Sequence, residues 1–300
     1  MTHWGDRRYR FLGIVLGLAL FLSVAAHSLA VPGLDVDSSL SSEDSIQLPP
    51  LRSHPLPELL AAWNDPALED SASQGDYFDA IAPSPLGYLV WSRFPITIFV
   101  EPPDAEFTGD ANVGEGGMLG DADVNGASPK VLPPLPPSPQ IHRQWYDAVL
   151  GAIAQWSVYL PLESVNESAD ADIRIWAVAP PLQVTFDASE PQFEPARAAE
   201  TRYEFYIDAQ ADGTQVLAPR YDIKIKPGQS FQQIQATTRH ELGHALGLWG
   251  HSPLQTDVLY ASQIHAPPQI SARDVRTLKA VYEHPTQLGW PLPNAYSPTG

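Results

Sequence analysis

Five consecutive residues constrain this chain more than any others: His240-Glu241-Leu242-Gly243-His244. A spacing of four brings two imidazoles onto one face only where the backbone is helical, because residues four apart are neighbours on a helix surface. Set that way, His240 and His244 can share one Zn²⁺ at about 2.0–2.1 Å each. At about 100° per residue, Ile234, Thr238, Leu242, Ala245 and Leu246 make an apolar stripe roughly opposite the histidines. The helix can therefore bury one side and offer a metal on the other. Glu241 sits beside His240, close enough to accept a proton from metal-activated water without being a ligand, which is the general-base role in metal-assisted hydrolysis. The bland alternative is a chance pentapeptide on an ordinary surface helix.

The residues that follow weigh against chance. In Ala245-Leu246-Gly247-Leu248-Trp249-Gly250-His251, Gly247 can take a left-handed conformation, end the helix and swing the chain back under the metal. His251 can then supply the third imidazole of a site that needs three protein ligands and one open position. Asp257 and His265 compete for that place, and Asp257 reads better as a hydrogen-bonding carboxylate. At HELGHALGLWGHS the sequence resembles the zinc-binding segment of the metzincin metalloproteases, and specifically an exported, bacterial-type, matrixin-like branch. The resemblance implies one catalytic Zn²⁺, with His240, His244 and His251 as ligands and Glu241 as base. It extends to residues 171–176 (ADIRIW), similar to the family's second sheet strand, and to residues 271–282 (SARDVRTLKAVY), similar to its closing helix. Residues 256–260 (TDVLY) lie where the Met-turn belongs, so the likeness covers roughly residues 91–290 apart from one insertion. Two departures stand out. One extra residue separates the glycine from the third histidine, since Trp249 and Gly250 both follow Leu248. Leu259 stands where the Met-turn methionine belongs, a position that forms an apolar floor under the metal and tolerates a residue of similar volume.

Composition narrows the function from the other side. The chain has 35 Asp+Glu against 17 Lys+Arg, a net charge of −18, and no cysteine. The acidity argues against a nucleic-acid partner, which would call for a basic patch. The lack of cysteine excludes a thiol nucleophile, a thiolate metal site, a disulfide scaffold and the cysteine-switch latency used by many matrixins. Arg7, Arg8 and Arg10 precede an uncharged stretch over 11–26 and the small residues of Ser28-Leu29-Ala30, the layout of an export signal. That stretch falls short of the ~20 apolar residues a spanning helix needs. An extracellular or periplasmic mature protein is expected, with a signal-anchored membrane form as the alternative. Asp121-Ala122-Asp123-Val124-Asn125-Gly126 opens like a Ca²⁺ loop, but Leu132 replaces the bidentate Glu at its twelfth position. A solvated turn is the weightier reading there.

The organisation expected is an export signal over 1–30, an acidic Pro/Ser-rich linker or propeptide-like segment over 31–87, a catalytic domain over 88–290 and a tail over 291–300. Residues 101–140, rich in Gly, Asp and Pro, read as a low-complexity insertion. Strands are expected over 93–100, 171–176, 201–207 and 221–226, with Pro95 at a strand start or on an edge. Helices are expected over 140–159, 229–247 and 271–283; the first would bury Ile141, Trp145, Ala148, Val149, Ala152 and Trp156, and the last would be capped by Ser271 with Asp274. Shorter helical turns fit 56–63 and 77–81. The fold class is α+β: a metzincin-like mixed twisted sheet with an active-site helix and a C-terminal helix, the zinc lying in a cleft between two subdomains. The function that follows is an exported zinc-dependent endopeptidase acting on a peptide or protein substrate laid along an edge strand near 201–207. The alternative is a catalytically silent metzincin-fold binding module at the cell surface, which would have no need of Glu241.

Overall fold

A computed structural model describes residues 47–64, 75–103, 138–181, 184–187, 190–193, 197–262, 264 and 266–293. The expected export signal over 1–30, the calcium-like run beginning at Asp121, and His265 lie outside the described residues. Among the described residues no helix is long and apolar enough to cross a membrane.

Among the described residues seven strands form: β1 (Ile96–Val100), β2 (Leu162–Val165), β3 (Ile173–Trp176), β4 (Val184–Asp187), β5 (Glu190–Phe193), β6 (Ala199–Ala209) and β7 (Gln215–Ile225). Five of them make one sheet in the order β2-β1-β3-β7-β6. The pairs from β2 through β7 are parallel and β6 runs antiparallel to β7. Strand β1 is ITIFV and is buried along its whole length, as a strand inside a parallel sheet should be. Strand β3 alternates instead, burying Ile173 and Ile175 and leaving Arg174 and Trp176 half-buried on the other face. Pro95 directly precedes Ile96, so its missing N–H falls outside the ladder; it marks a strand start, and the strand it starts is interior, not an edge. The runs expected over 201–207 and 221–226 are parts of a longer hairpin, since β6 and β7 pair without interruption from Ala199↔Ile225 to Ala209↔Gln215.

The helices are α1 (Glu58–Ala62), α2 (Pro139–Trp156), α3 (Phe231–Ala245) and α4 (Ala272–Glu283). Each of the three long ones starts at a serine whose hydroxyl accepts a first-turn N–H: Ser138, Ser230 and Ser271. The last two are full capping boxes, closed by Gln233 and Asp274. The buried face of α2 differs from the expected one at its first turn, where Ile141 is exposed and His142 is buried. Both positions flank the Trp145 stripe, at i−4 and i−3, and the imidazole is the one that packs beside the indole, with ring centroids 5.6 Å apart.

One continuous apolar core runs from Ile98, Ile173 and Ile223 of the sheet through Trp145 and Trp156 of α2 and Leu242 of α3 to Leu278 and Val281 of α4. The segment expected as linker contributes to it. Leu60 is fully buried, and Tyr77 and Ile81 lie in the same cluster. Arg52 and Thr286 exchange both backbone hydrogen bonds, at 3.1 and 2.9 Å, which ties residues near 52 to the chain just beyond α4. Composition hid this, because a few apolar anchors among prolines and acids do not alter a segment's average. Leu60→Ala should therefore destabilise the protein by about 2–5 kcal/mol, the range for deleting a fully buried Leu side chain. Chemical denaturation checks it; a change within about 0.5 kcal/mol, as for an exposed position, would mean the segment is detachable.

Candidate metal centre

Helix α3 is amphipathic in the sense its sequence implies. Ile234, Thr238, Leu242 and Ala245 are buried, and Arg239 and Gly243 with them. Trp91 and Tyr282 donate to the carbonyls of Ala245 and Leu246 at 2.9 and 3.1 Å, so the end of the helix is satisfied by side chains from outside it. Gly247 follows at φ +128°, where a side chain would be strained, and a Cβ there would lie 3.0 Å from the Leu89 carbonyl oxygen. The chain turns at this point and carries His251 back toward the helix.

His240, His244 and His251 each present one ring nitrogen, and the three atoms lie within 4.8 Å of one another. The first two imidazoles are half-buried and the third is exposed. His240 and His251 have ring centroids 5.3 Å apart, and His244 and His251 5.0 Å apart. The extra residue in the turn thus leaves His251 within reach of the pair. Leu259 is fully buried, and a Cβ at Gly243 would meet its Cδ2 at 2.6 Å. It packs under the helix one residue from His244, where an apolar floor is expected. Asp257 is also fully buried and accepts from Ser252, Ser271 and Arg273; it is a hydrogen-bonding carboxylate and not a member of the triad.

The hydrogen bonds of the rings test whether a metal fits. His240 Nδ1 lies 2.8 Å from the Val258 carbonyl oxygen, and His244 Nδ1 lies 2.8 Å from that of Leu248. A carbonyl oxygen only accepts, so both Nδ1 atoms carry the proton. Both Nε2 atoms then hold bare lone pairs, and these face each other at 3.1 Å. Two acceptors so close repel, and a cation between or beside them would relieve the repulsion. A proton is disfavoured there: burial, then the neighbouring His240, pushes His244 down to about 3. Burial also lowers His240, and lowers His251 together with the charge of His240. What suits the geometry is a metal ion that takes neutral imidazoles. His244 also lies in the last turn of α3, where the helix dipole favours positive charge. The donor set of three nitrogens suits zinc among other transition metals.

Glu241 projects toward β6. The Thr201 hydroxyl donates to its Oε2 at 2.5 Å. Burial pushes the Glu241 carboxyl up to about 7; the Thr201 hydrogen bond opposes this and the charge of Glu200 adds to it. Glu200 is itself buried between Arg197 and Arg202, at 3.0 and 2.9 Å. Thr201, and the carbonyls of Val258 and Leu248, are the parts of the site that sequence reading misses. Thr201 falls in an expected strand, but nothing in an alternating run says which hydroxyl will face a helix, and backbone carbonyls carry no sequence signal. A scan against protein-family models finds no match to this chain, and no curated protein matches it.

These shifts set an acid sensitivity for the metal-free protein. Between pH 6.5 and about 3 the unfolded chain binds a proton at His244 that the folded chain refuses, so stability falls as pH falls through 6.5, and the lowered His240 and His251 act in the same direction. Glu241 acts oppositely between 4.5 and about 7, where the folded chain binds the extra proton. Three imidazoles against one carboxyl give a net loss on acidification. Metal-free protein should lose stability from pH 6.5 to 4.5, and His244→Gln should lose less over the same interval. Denaturation curves across that range check it; identical pH slopes in both proteins would contradict it.

Proposed function

We propose that this chain is an exported zinc endopeptidase of the matrixin-like metzincin kind, working in the extracellular or periplasmic space on peptide or protein substrates, with a signal-anchored form as the alternative. The observation that carries the reading is the conjunction of three convergent imidazoles with a carboxylate on the same helix that is held from the sheet. His240, His244 and His251 would hold the metal and leave a position open for chemistry. When bound, zinc supplies Lewis acidity that polarises a substrate carbonyl and makes water a better acid.

The protein's own groups do the rest. With Oε2 of Glu241 held by Thr201, Oε1 remains to take a proton from the attacking water and pass it to the leaving amine. A carboxyl raised to about 7 is matched to both halves of that transfer near neutral pH. Strand β6 has a neighbour on the β7 side alone among the described residues. An extended peptide added to its free edge would run past Thr201 and bring a peptide bond near Glu241. The β2-β1-β3-β7-β6 order, with one antiparallel edge strand beside the helix of the motif, suits such a cleft. The net charge of −18 fits a protein with no nucleic-acid partner.

Purified mature chain should cleave fluorogenic peptides, lose that activity to a chelator and regain it with zinc. Glu241→Gln should keep about one zinc per chain and lose about 10²–10⁴-fold in turnover; wild-type rates in this variant would sink the base assignment. Thr201→Val removes a bond that lowers the Glu241 carboxyl, so the acid limb of its pH–rate profile should move to higher pH, and Thr201→Ser should restore it. An unmoved limb in Thr201→Val would show that the hydroxyl does not bear on the base.

A further inference from the structure

The turn that delivers His251 does not stand alone. The Ala82 N–H donates to the Trp249 carbonyl at 3.0 Å, and Ile81 and Gly250 form an antiparallel bridge. The approach is so close that a Cβ on Gly250 would lie 2.0 Å from the Ala80 carbonyl oxygen. The one extra residue of this turn falls within Trp249-Gly250, and both residues are held by residues 80–82. At its other end the same segment is fastened to α4. The Tyr77 N–H donates to Thr277 Oγ1 at 3.0 Å and its hydroxyl to Asp274 at 2.7 Å, while Arg273 and Arg276 donate to the Gly75 carbonyl. The second oxygen of Asp274 accepts the Val258 N–H at 3.0 Å, and the Val258 carbonyl is the one that orients His240. A single eight-residue stretch therefore touches the supports of two of the three imidazoles.

We propose that residues 75–82 are a positioning strap for the metal centre, setting the aim of His251 through Trp249 and Gly250, and that this stretch stays with the mature chain and does not leave with a propeptide. His251 is exposed, so packing does little to aim its ring and the backbone of its turn must do so. That backbone meets the strap at Trp249 and Gly250, and beyond the histidine the Ser252 N–H donates to the Leu259 carbonyl at 2.9 Å. Removing the strap leaves the turn only its short-range bonds to residues 243–248 and the hold at Ser252. Any maturation cut that preserves the centre falls before Gly75. The proposal rests on the triad being a metal centre, and not on the reaction that centre performs.

Hydrogen exchange of the full mature chain, with and without Zn²⁺, tests it. Zinc should raise protection about tenfold or more in the peptide covering 75–82 as well as in the one covering His251, since ordering the turn suppresses local opening of what is bonded to it. Gly250→Ala, which forces the strap and the turn apart, should weaken zinc binding about 10–100-fold, the usual effect of disturbing an outer partner of a ligand. Its metal-free melting temperature reports whether it folds; if it does not, the exchange experiment on the unmodified chain decides alone. Protection that rises around His251 while 75–82 is unchanged overturns the strap and leaves the metal centre standing. A chain that binds no zinc, and shows no change in either peptide, overturns both.

Discussion

Two main-chain carbonyls, those of Val258 and Leu248, take the Nδ1 protons of His240 and His244, and the chemistry available to this protein depends on their doing so. With those protons committed, the Nε2 lone pairs are left facing one another at 3.1 Å, an arrangement that is unfavourable until a cation occupies it. Burial blocks the easiest relief, protonation, by pushing His244 down to about 3. Folding thus creates a small destabilised region that a metal ion would offset, and metal binding there would couple acid sensitivity to fold stability.

The surrounding architecture serves to keep those carbonyls in place. Leu248 is fixed by the Gly247 turn, with its own N–H returning to the Gly243 carbonyl at 2.9 Å. Val258 is fixed through its N–H to Asp274, the residue that also closes the cap of α4. Asp257 next to it gathers Ser252, Ser271 and Arg273, so the turn after His251 and the start of α4 are cross-linked by one buried carboxylate. Buried charges of this kind are costly unless well partnered. Removing Arg273 would leave the buried Asp257 charge to the Ser252 and Ser271 hydroxyls at the base of the site.

Helix α3 faces a different requirement. It must pack on α2 and the sheet while leaving His240, Glu241 and His244 usable. Arg239 marks how tightly the constraint is met: it is almost fully buried, yet donates to Gln155 and to the Pro268 carbonyl at 3.0 and 2.8 Å, linking α3 to α2 and to the chain leading into α4. The apolar stripe over Ile234, Thr238, Leu242 and Ala245 does not announce it, because a cation in a core is legible only through partners distant in sequence.

What the sequence determined by itself is local. Spacings of three and four placed α2 and α3; Ser271 followed by Asp274 placed the start of α4; β-branched and alternating runs placed β1, β3 and parts of β6 and β7, but not β2, β4 or β5; and the four-residue interval put His240 and His244 on one face. Each of these follows from steric and hydrogen-bonding preferences that act over one or two turns of chain. Tertiary structure decided the rest: that the turn carrying the extra residue still returns His251 to the pair, that Thr201 faces Glu241, that His142 and not Ile141 enters the core, and that Leu60, Tyr77 and Ile81 join it from a stretch that reads as linker. Those outcomes depend on which surfaces meet, and the energy of a contact between residue 80 and residue 250 appears in neither segment until the fold has brought them together.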